Sequence, residues 1–138
     1  MAYATQQDLI DEFGEQQLIQ LTDLADPPAE TIDAAVLARA QARADGEIDA
    51  ALAGRYSLPL ASVPTLLIGV ACDVTRFYLY RDAMPEEVRK RYENATKMLR
   101  EIAAGRLGLG LTPAGLATAG GDTATMATSQ RVFGREDL

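Results

Sequence analysis

Residues 31–60 read TIDAAVLARAQARADGEIDAALAGRYSLPL, and this stretch decides the fold class. Val36, Ala40, Ala44, Ile48 and Leu52 recur every four residues, flanked by Ile32, Leu37 and Ala51. That spacing is the stripe of an amphipathic helix, predicted over 32–53 with Thr31 as its opening cap. The alanine-lined middle of the stripe lets a second helix approach closely. Gly54 terminates the helix, and Arg55 to Leu60 is predicted extended, because the residue before Pro59 avoids the helical region.

The pattern continues on both sides. Upstream, Thr5-x-x-Asp8 approximates a capping box. It opens a short helix near 6–13 that Gly14 stops, and Leu18, Ile19 and Leu21 mark a second near 15–21. Asp26-Pro27-Pro28 is a loop. Downstream, Pro64 suits the first turn of a helix over about 64–81, apolar almost all round in its first half and therefore central. Pro85 opens another over 85–104, with Glu86 and Glu87 at its positive end and Arg100 near its negative end. Leu67, Val74, Phe77, Tyr92 and Leu99 are the expected core. No strand pattern competes, so the expected fold class is all-α: a small bundle of four to five helices over 1–111, followed by a tail over 112–138.

The tail differs in composition. Leu107-Gly-Leu-Gly-Leu111 alternates apolar residues with glycine and is expected to pair only with another chain. Thr112 to Ser129 is Ala, Gly and Thr with few charges, a composition too poor in large apolar groups to fold alone. Arg131-Val132-Phe133-Gly134-Arg135 then places an apolar pair between two arginines. That pattern suits a tether whose end docks on a neighbouring subunit, so the tail is expected to be extended and partner-ordered.

Length and composition bound the rest. A chain of 138 residues fits one domain. Apolar residues make up 48%, but 24 of the 138 residues are alanine and none is tryptophan, so each buried side chain removes little area from water. Subunit contacts are therefore expected to supply part of the stability. The net charge is −7. Its distribution matters more: the first 38 residues contain no Lys or Arg, while Arg39 to Arg106 holds eleven of the thirteen bases. An acidic head and a basic body are either ordinary solvated surface or complementary faces of neighbouring copies. The acidic balance argues against general nucleic-acid binding. The N-terminal MAYATQQD has no basic or apolar leader pattern, and no apolar run approaches a membrane span.

The inventory of reactive groups is short. Histidine is absent, which excludes histidine triads and proton shuttles. The lone Cys72 lies in the apolar run GVACDVTRF and reads as a small buried hydrophobe. Neither a P-loop nor a dinucleotide fingerprint is present. Asp45 and Asp49, like Asp8 and Glu12, are four apart and read as polar helix faces. The chain is therefore expected not to be an enzyme and to use no catalytic residue, metal or cofactor. Arg55 and Tyr56, immediately after a helix end, have two readings. They are a capping arginine beside a core tyrosine, or a contact with an acidic neighbouring subunit. Arg89-Lys90-Arg91 is a solvated basic run or a contact with passing DNA.

Four phrases carry a family resemblance: YATQQDLIDEFGEQQLIQLTD, EIDAALAGRYSLPL, VPTLLIGVACDVTRFYLY and VRKRYENATKMLREIAAGRLGLG. In this order, over about residues 3–110, they resemble the small Mu-like phage and prophage proteins encoded among head and tail genes. The RVFGRED ending is similar in style. That family in turn resembles the helical head–tail connector (adaptor, or neck) proteins of long-tailed phages. The resemblance implies a structural virion protein at the head–tail junction, made in the bacterial host cytoplasm. It implies a homo-oligomeric, dodecameric ring under the portal, touching the portal protein and a neck or tail-completion protein. DNA would pass through the lumen without sequence-specific binding, and no membrane is involved. Arg55, Tyr56, Arg131, Val132, Phe133 and Arg135 are the expected subunit or portal contacts. The alternative is a DNA-packaging-associated or nucleic-acid-linked regulatory module.

Overall fold

The computed structural model describes residues 2–111. Five helices follow one another: α1 (Gln6–Phe13), α2 (Glu15–Thr22), α3 (Ala34–Leu52), α4 (Thr65–Leu79) and α5 (Glu86–Ala103). Among the described residues there is no strand. The all-α expectation holds for this region, and the tail expected over 112–138 lies outside the described residues.

The termini of the helices show how local chemistry sets each boundary. Thr5 and Asp8 form the full capping box: the Asp8 amide donates to Thr5 Oγ1 at 3.1 Å, and the Thr5 amide donates to Asp8 Oδ2 at 2.9 Å. Gly14, at φ +90°, ends α1 and opens α2. The cap of α3 is Asp33, not Thr31. Its carboxylate accepts from the amides of Ala35 and Val36 at 3.0 and 3.3 Å, satisfying two donors that a helix start leaves bare. Asp33 is itself held by the buried Thr22, whose Oγ1 accepts the Asp33 amide at 3.0 Å and donates to Leu18 O at 2.7 Å. This pair fixes the end of α2 against the start of α3.

The alanine stripe does what its pattern predicts. Leu37, Ala40, Ala44, Ile48 and Leu52 are buried, and α3 packs most extensively on α4, which in turn packs on α5. α4 is the central helix: Leu67, Val70, Ala71, Cys72, Val74 and Leu79 all lie in the core. α5 adds Ala95, Leu99 and Ile102, and α1 and α2 add Leu9 and Leu18. Phe77 and Tyr92 are half-buried, which corrects their expected place in the core. Their rings stack at 3.7 Å between centroids. Tyr92 must keep its hydroxyl on Glu47, 3.0 Å away, so the stack stays at the rim of the bundle.

Two further expectations change. Arg55 and Tyr56 remain in the terminal turn of α3, their amides donating to Leu52 O at 3.0 and 2.9 Å, so the non-helical run starts after them. Residues 107–111 pack on their own chain. Leu109 is buried, Leu107 and Leu111 lean on the core, and the Leu109 amide lies 3.4 Å from Tyr56 Oη.

Leu67 is fully buried in the first turn of α4, whereas Phe77 is not. Leu67→Ala is therefore expected to destabilise by about 2–5 kcal/mol, and Phe77→Ala by clearly less than the ~3–5 kcal/mol typical of a buried phenylalanine. Urea denaturation of the two variants checks the order.

Candidate subunit-contact surface

The two helix ends in LAGRY and IAAGR meet in space. At the end of α5, Gly105 takes φ +82°. Its amide donates to Ile102 O at 3.0 Å, and the Arg106 amide donates to Glu101 O at 2.9 Å. This is a Schellman turn, whose left-handed residue favours glycine. The guanidinium of Arg55 lies against Gly105, so close that an added Cβ would stand 2.7 Å from its Nη1. Arg55 is half-buried, and its Nε is enclosed without a hydrogen-bond partner. Tyr56 is 4% exposed and belongs to the chain's own core. The arginine thus joins the end of α3 to the end of α5 within one chain. Arg131, Val132, Phe133 and Arg135 lie outside the described residues.

The acidic head is partly neutralised within the chain. Glu12 on α1 pairs with Arg91 on α5 at 3.4 Å, and Arg91 also reaches Asp73 on α4 at 3.1 Å. Phe13 lies under two guanidinium groups, with Arg76 at 4.2 Å from its centroid and Arg91 at 5.8 Å. Arg76 is only 5% exposed; its Nη1 is 3.5 Å from Gln17 Oε1. Burial pushes the Asp73 carboxyl above the usual range, and Arg91 and Arg76 pull it back. The run Arg89-Lys90-Arg91 is therefore not one basic face. Arg89 is paired with Glu86 and Glu93, Arg91 turns inward, and Lys90 alone of the three makes no ion pair among the described residues.

Two more polar clusters tie elements together. Glu47 accepts from Tyr78 Oη at 2.9 Å and from Tyr92 Oη at 3.0 Å, while Arg43 lies 4.2 Å over the Tyr78 ring. At the start of the chain, Tyr3 is buried against α3; its hydroxyl donates to Asp49 and its amide to Asp45 Oδ1 at 3.2 Å. Gln41 Nε2 donates to Ala4 O at 2.9 Å. Burial, then the Asp49 carboxylate, holds the Tyr3 phenol above its ordinary range, and burial also raises Asp45. Asp45 and Asp49 thus clasp the N-terminal segment and do not form a bare acidic face.

The Cys72 thiol is buried and pushed up to about 12 by burial, with the acids Glu12, Asp8 and Asp73 adding to the shift. Such a thiol is a poor nucleophile. Among the described residues no group of three His, Cys, Asp or Glu is placed to hold a metal ion. Several concavities are grooves between helices. One of about 320 Å³ between α4 and α5 is lined by Leu66, Gly69, Val70 and Met98.

The surface is also built at its acidic end. Asp23 Oδ2 accepts the Glu30 amide at 2.7 Å, and Oδ1 accepts the amides of Ala29 and Ala25 at 3.2 and 3.3 Å. One carboxylate therefore organises the loop between α2 and α3.

With this geometry in view, comparison with known proteins is decisive. The family model for bacteriophage Mu Gp36 matches residues 3–128. The chain belongs to the Mu Gp36 family. The Mu-like prophage FluMu protein gp36 of Haemophilus influenzae is 32% identical over 133 residues, covering 96% of this chain and 93% of that protein. Gene product J of Escherichia phage Mu is 34% identical over 106 residues, covering 77% of this chain and 74% of its own length. The resemblance drawn from the four phrases is thus correct, and this Gp36-family member is a Mu-like phage protein. No helix among the described residues is long and apolar enough to cross a membrane.

The sequence reading singled out Arg55 and missed Arg76, Glu47 and Asp23. Arg76 sits in a largely apolar run, where a charged residue between Val74-Thr75 and Phe77 is itself a signal of a buried partner. Asp23 stands at the start of a proline loop, a position that favours local backbone capture.

Two outcomes follow. Gly105→Ala is expected to cost about 1–2 kcal/mol from the left-handed backbone alone, read by thermal or urea denaturation, and Arg55→Ala in the same background should not recover it. Asp23 is held below the usual carboxylate range, chiefly by the Glu30 amide. A carboxyl lowered in the folded state stabilises above its unfolded pKa and loses that effect as pH falls through the folded value. Protection of the Ala29 and Glu30 amides, taken relative to the intrinsic exchange rate at the same pH, should therefore fall on acidification below the ordinary carboxylate range, and should be lost at neutral pH in Asp23→Ala while the bundle stays folded.

Proposed function

We propose that this Gp36-family chain is a structural virion protein, a head–tail connector subunit that assembles as a ring beneath the portal. The observation that carries the reading is family membership along residues 3–128, combined with a small helical bundle that leaves Asp26 and Glu30 and the arginines Arg39, Arg43 and Arg81 outside its ion pairs among the described residues. A ring needs a heterologous contact, in which one patch of a subunit meets a different patch of the next and the rotation closes. The acidic 24–30 loop and the arginines Arg39, Arg43 and Arg81 are the two patches proposed for it. Close helix packing on alanine keeps the subunit compact, and the partner-facing part of Arg55 adds a cation beside the end of α5.

In this reading the partners are further copies of the chain, the portal protein and a neck or tail-completion protein. A dodecamer would match a twelve-fold portal. DNA passes through the lumen without sequence-specific contacts, the chain does no catalysis and it needs no cofactor. Its place is the head–tail junction of the particle. The packaging-associated alternative draws on the exposed arginines of α3; the net charge of −7 weighs against it.

The test is the mass and electron-microscope image of the purified chain, alone and mixed with its portal. Rings coaxial with the portal are expected. A chain that stays monomeric with the portal present contradicts the proposal. Removal of residues 112–138 should leave the helical signal by circular dichroism unchanged and abolish incorporation into particles; normal incorporation would remove the tail from the account.

A further inference from the structure

Three arginines stand around one groove without an acidic partner. Arg39 and Arg43 on α3 and Arg81 just beyond α4 are exposed and line a concavity of about 250 Å³. Its apolar lining is Val36 and the Tyr78 ring, both half-buried, over Ala40 and Leu79, which are buried beneath them. None of the three arginines enters an ion pair among the described residues. Arg43 rests on the Tyr78 ring, and the nearby Glu47 is already bound by the Tyr78 and Tyr92 hydroxyls. A protein of net charge −7 thus keeps an uncompensated cationic rim around an apolar floor.

The same chain carries the matching shape. The loop after α2 exposes Leu24 to 51%, the highest of its large apolar side chains among the described residues. Asp26 and Glu30 are exposed beside it and make no ion pair among the described residues. The loop is not slack, because the Asp23 carboxylate gathers three of its amides. A pre-ordered loop loses little freedom on docking.

We propose that Leu24 of one copy seats on the Val36–Tyr78 floor of the next, with Asp26 and Glu30 against Arg39, Arg43 and Arg81. This names the contact surface within the connector reading and rests on it. Duplex DNA is the less suitable occupant, because a phosphate backbone has no use for the apolar floor and would meet the acidic remainder of the surface. The contact joins two different patches, so it can pass from copy to copy around a ring. Exposed charge pairs contribute little each and are screened by salt, so a single contact is weak, and assembly strengthens when copies are held together on a portal.

The full-length chain tests this by mixing two variants, Leu24→Cys and Val36→Cys, under mild oxidation; the native Cys72 is buried and does not compete. The expected result is a mixed disulfide between copies, lost at high salt and lost when Arg39→Glu and Arg43→Glu are added. Adding Asp26→Lys and Glu30→Lys to the opposite partner should restore it. Absence of the mixed disulfide in a preparation that forms wild-type rings overturns the docking and leaves the connector reading intact. A mixed disulfide in a chain that never closes into rings supports the docking and counts against the connector. Binding of duplex DNA that Arg39→Glu and Arg43→Glu abolish, with self-association unchanged, also overturns the docking.

Discussion

The structure depends on the close seating of α4 between α3 and α5. α3 meets α4 through Ala40 and Ala44 as well as Leu37, Ile48 and Leu52, so small residues govern the distance of approach. Close approach lets a chain without tryptophan fill its interior at native density. It also explains why α4 is the most continuously apolar helix: covered on both flanks, it has little surface left for polar groups. Where α4 does face outward, at Leu66 and Gly69, it borders a groove.

Around that apolar frame, polar side chains fix the pieces that lack area of their own. α1 and α2 are eight residues each, too short to be stable helices in isolation. They are held by Leu9 and Leu18 in the core, by Phe13 under Arg76 and Arg91, and by the Glu12–Arg91 pair. The Thr22–Asp33 hydrogen bond sets the entry of α3. Tyr3 and Gln41 fasten the N-terminal segment on α3, and Arg55 against Gly105 joins the far ends of α3 and α5. The acidic head and basic body therefore meet within the chain itself.

Helix positions were legible because period and punctuation agree. Thr5 with Asp8, Gly14, Pro64, Pro85 and Gly105 each mark a boundary by a local mechanism, and the structure places all five helices within a few residues of the reading. The exceptions have local causes. Asp33 displaces Thr31 as a cap because a carboxylate reaches two amides. Phe77 stays at the rim because its stacking partner Tyr92 is tied to Glu47, a long-range bond that no spacing reveals. Residues 107–111 fold back because Tyr56 offers them a surface, again a contact between distant positions. Of the candidate contacts, Arg55 was legible from its place after a helix end. The Arg39–Arg43–Arg81 groove was not, because Arg81 reaches it only through the packing of α4 on α3.

This small helical bundle of a Mu-like phage family carries an ordered acidic loop after α2 and an arginine-rimmed groove along α3. The most direct test is imaging of purified phage particles that carry this gene, with the chain located by a label or a density-fitted subunit. The connector account predicts several copies arranged as a closed ring between the portal and the tail. Particles that are complete and infectious without the chain would contradict it.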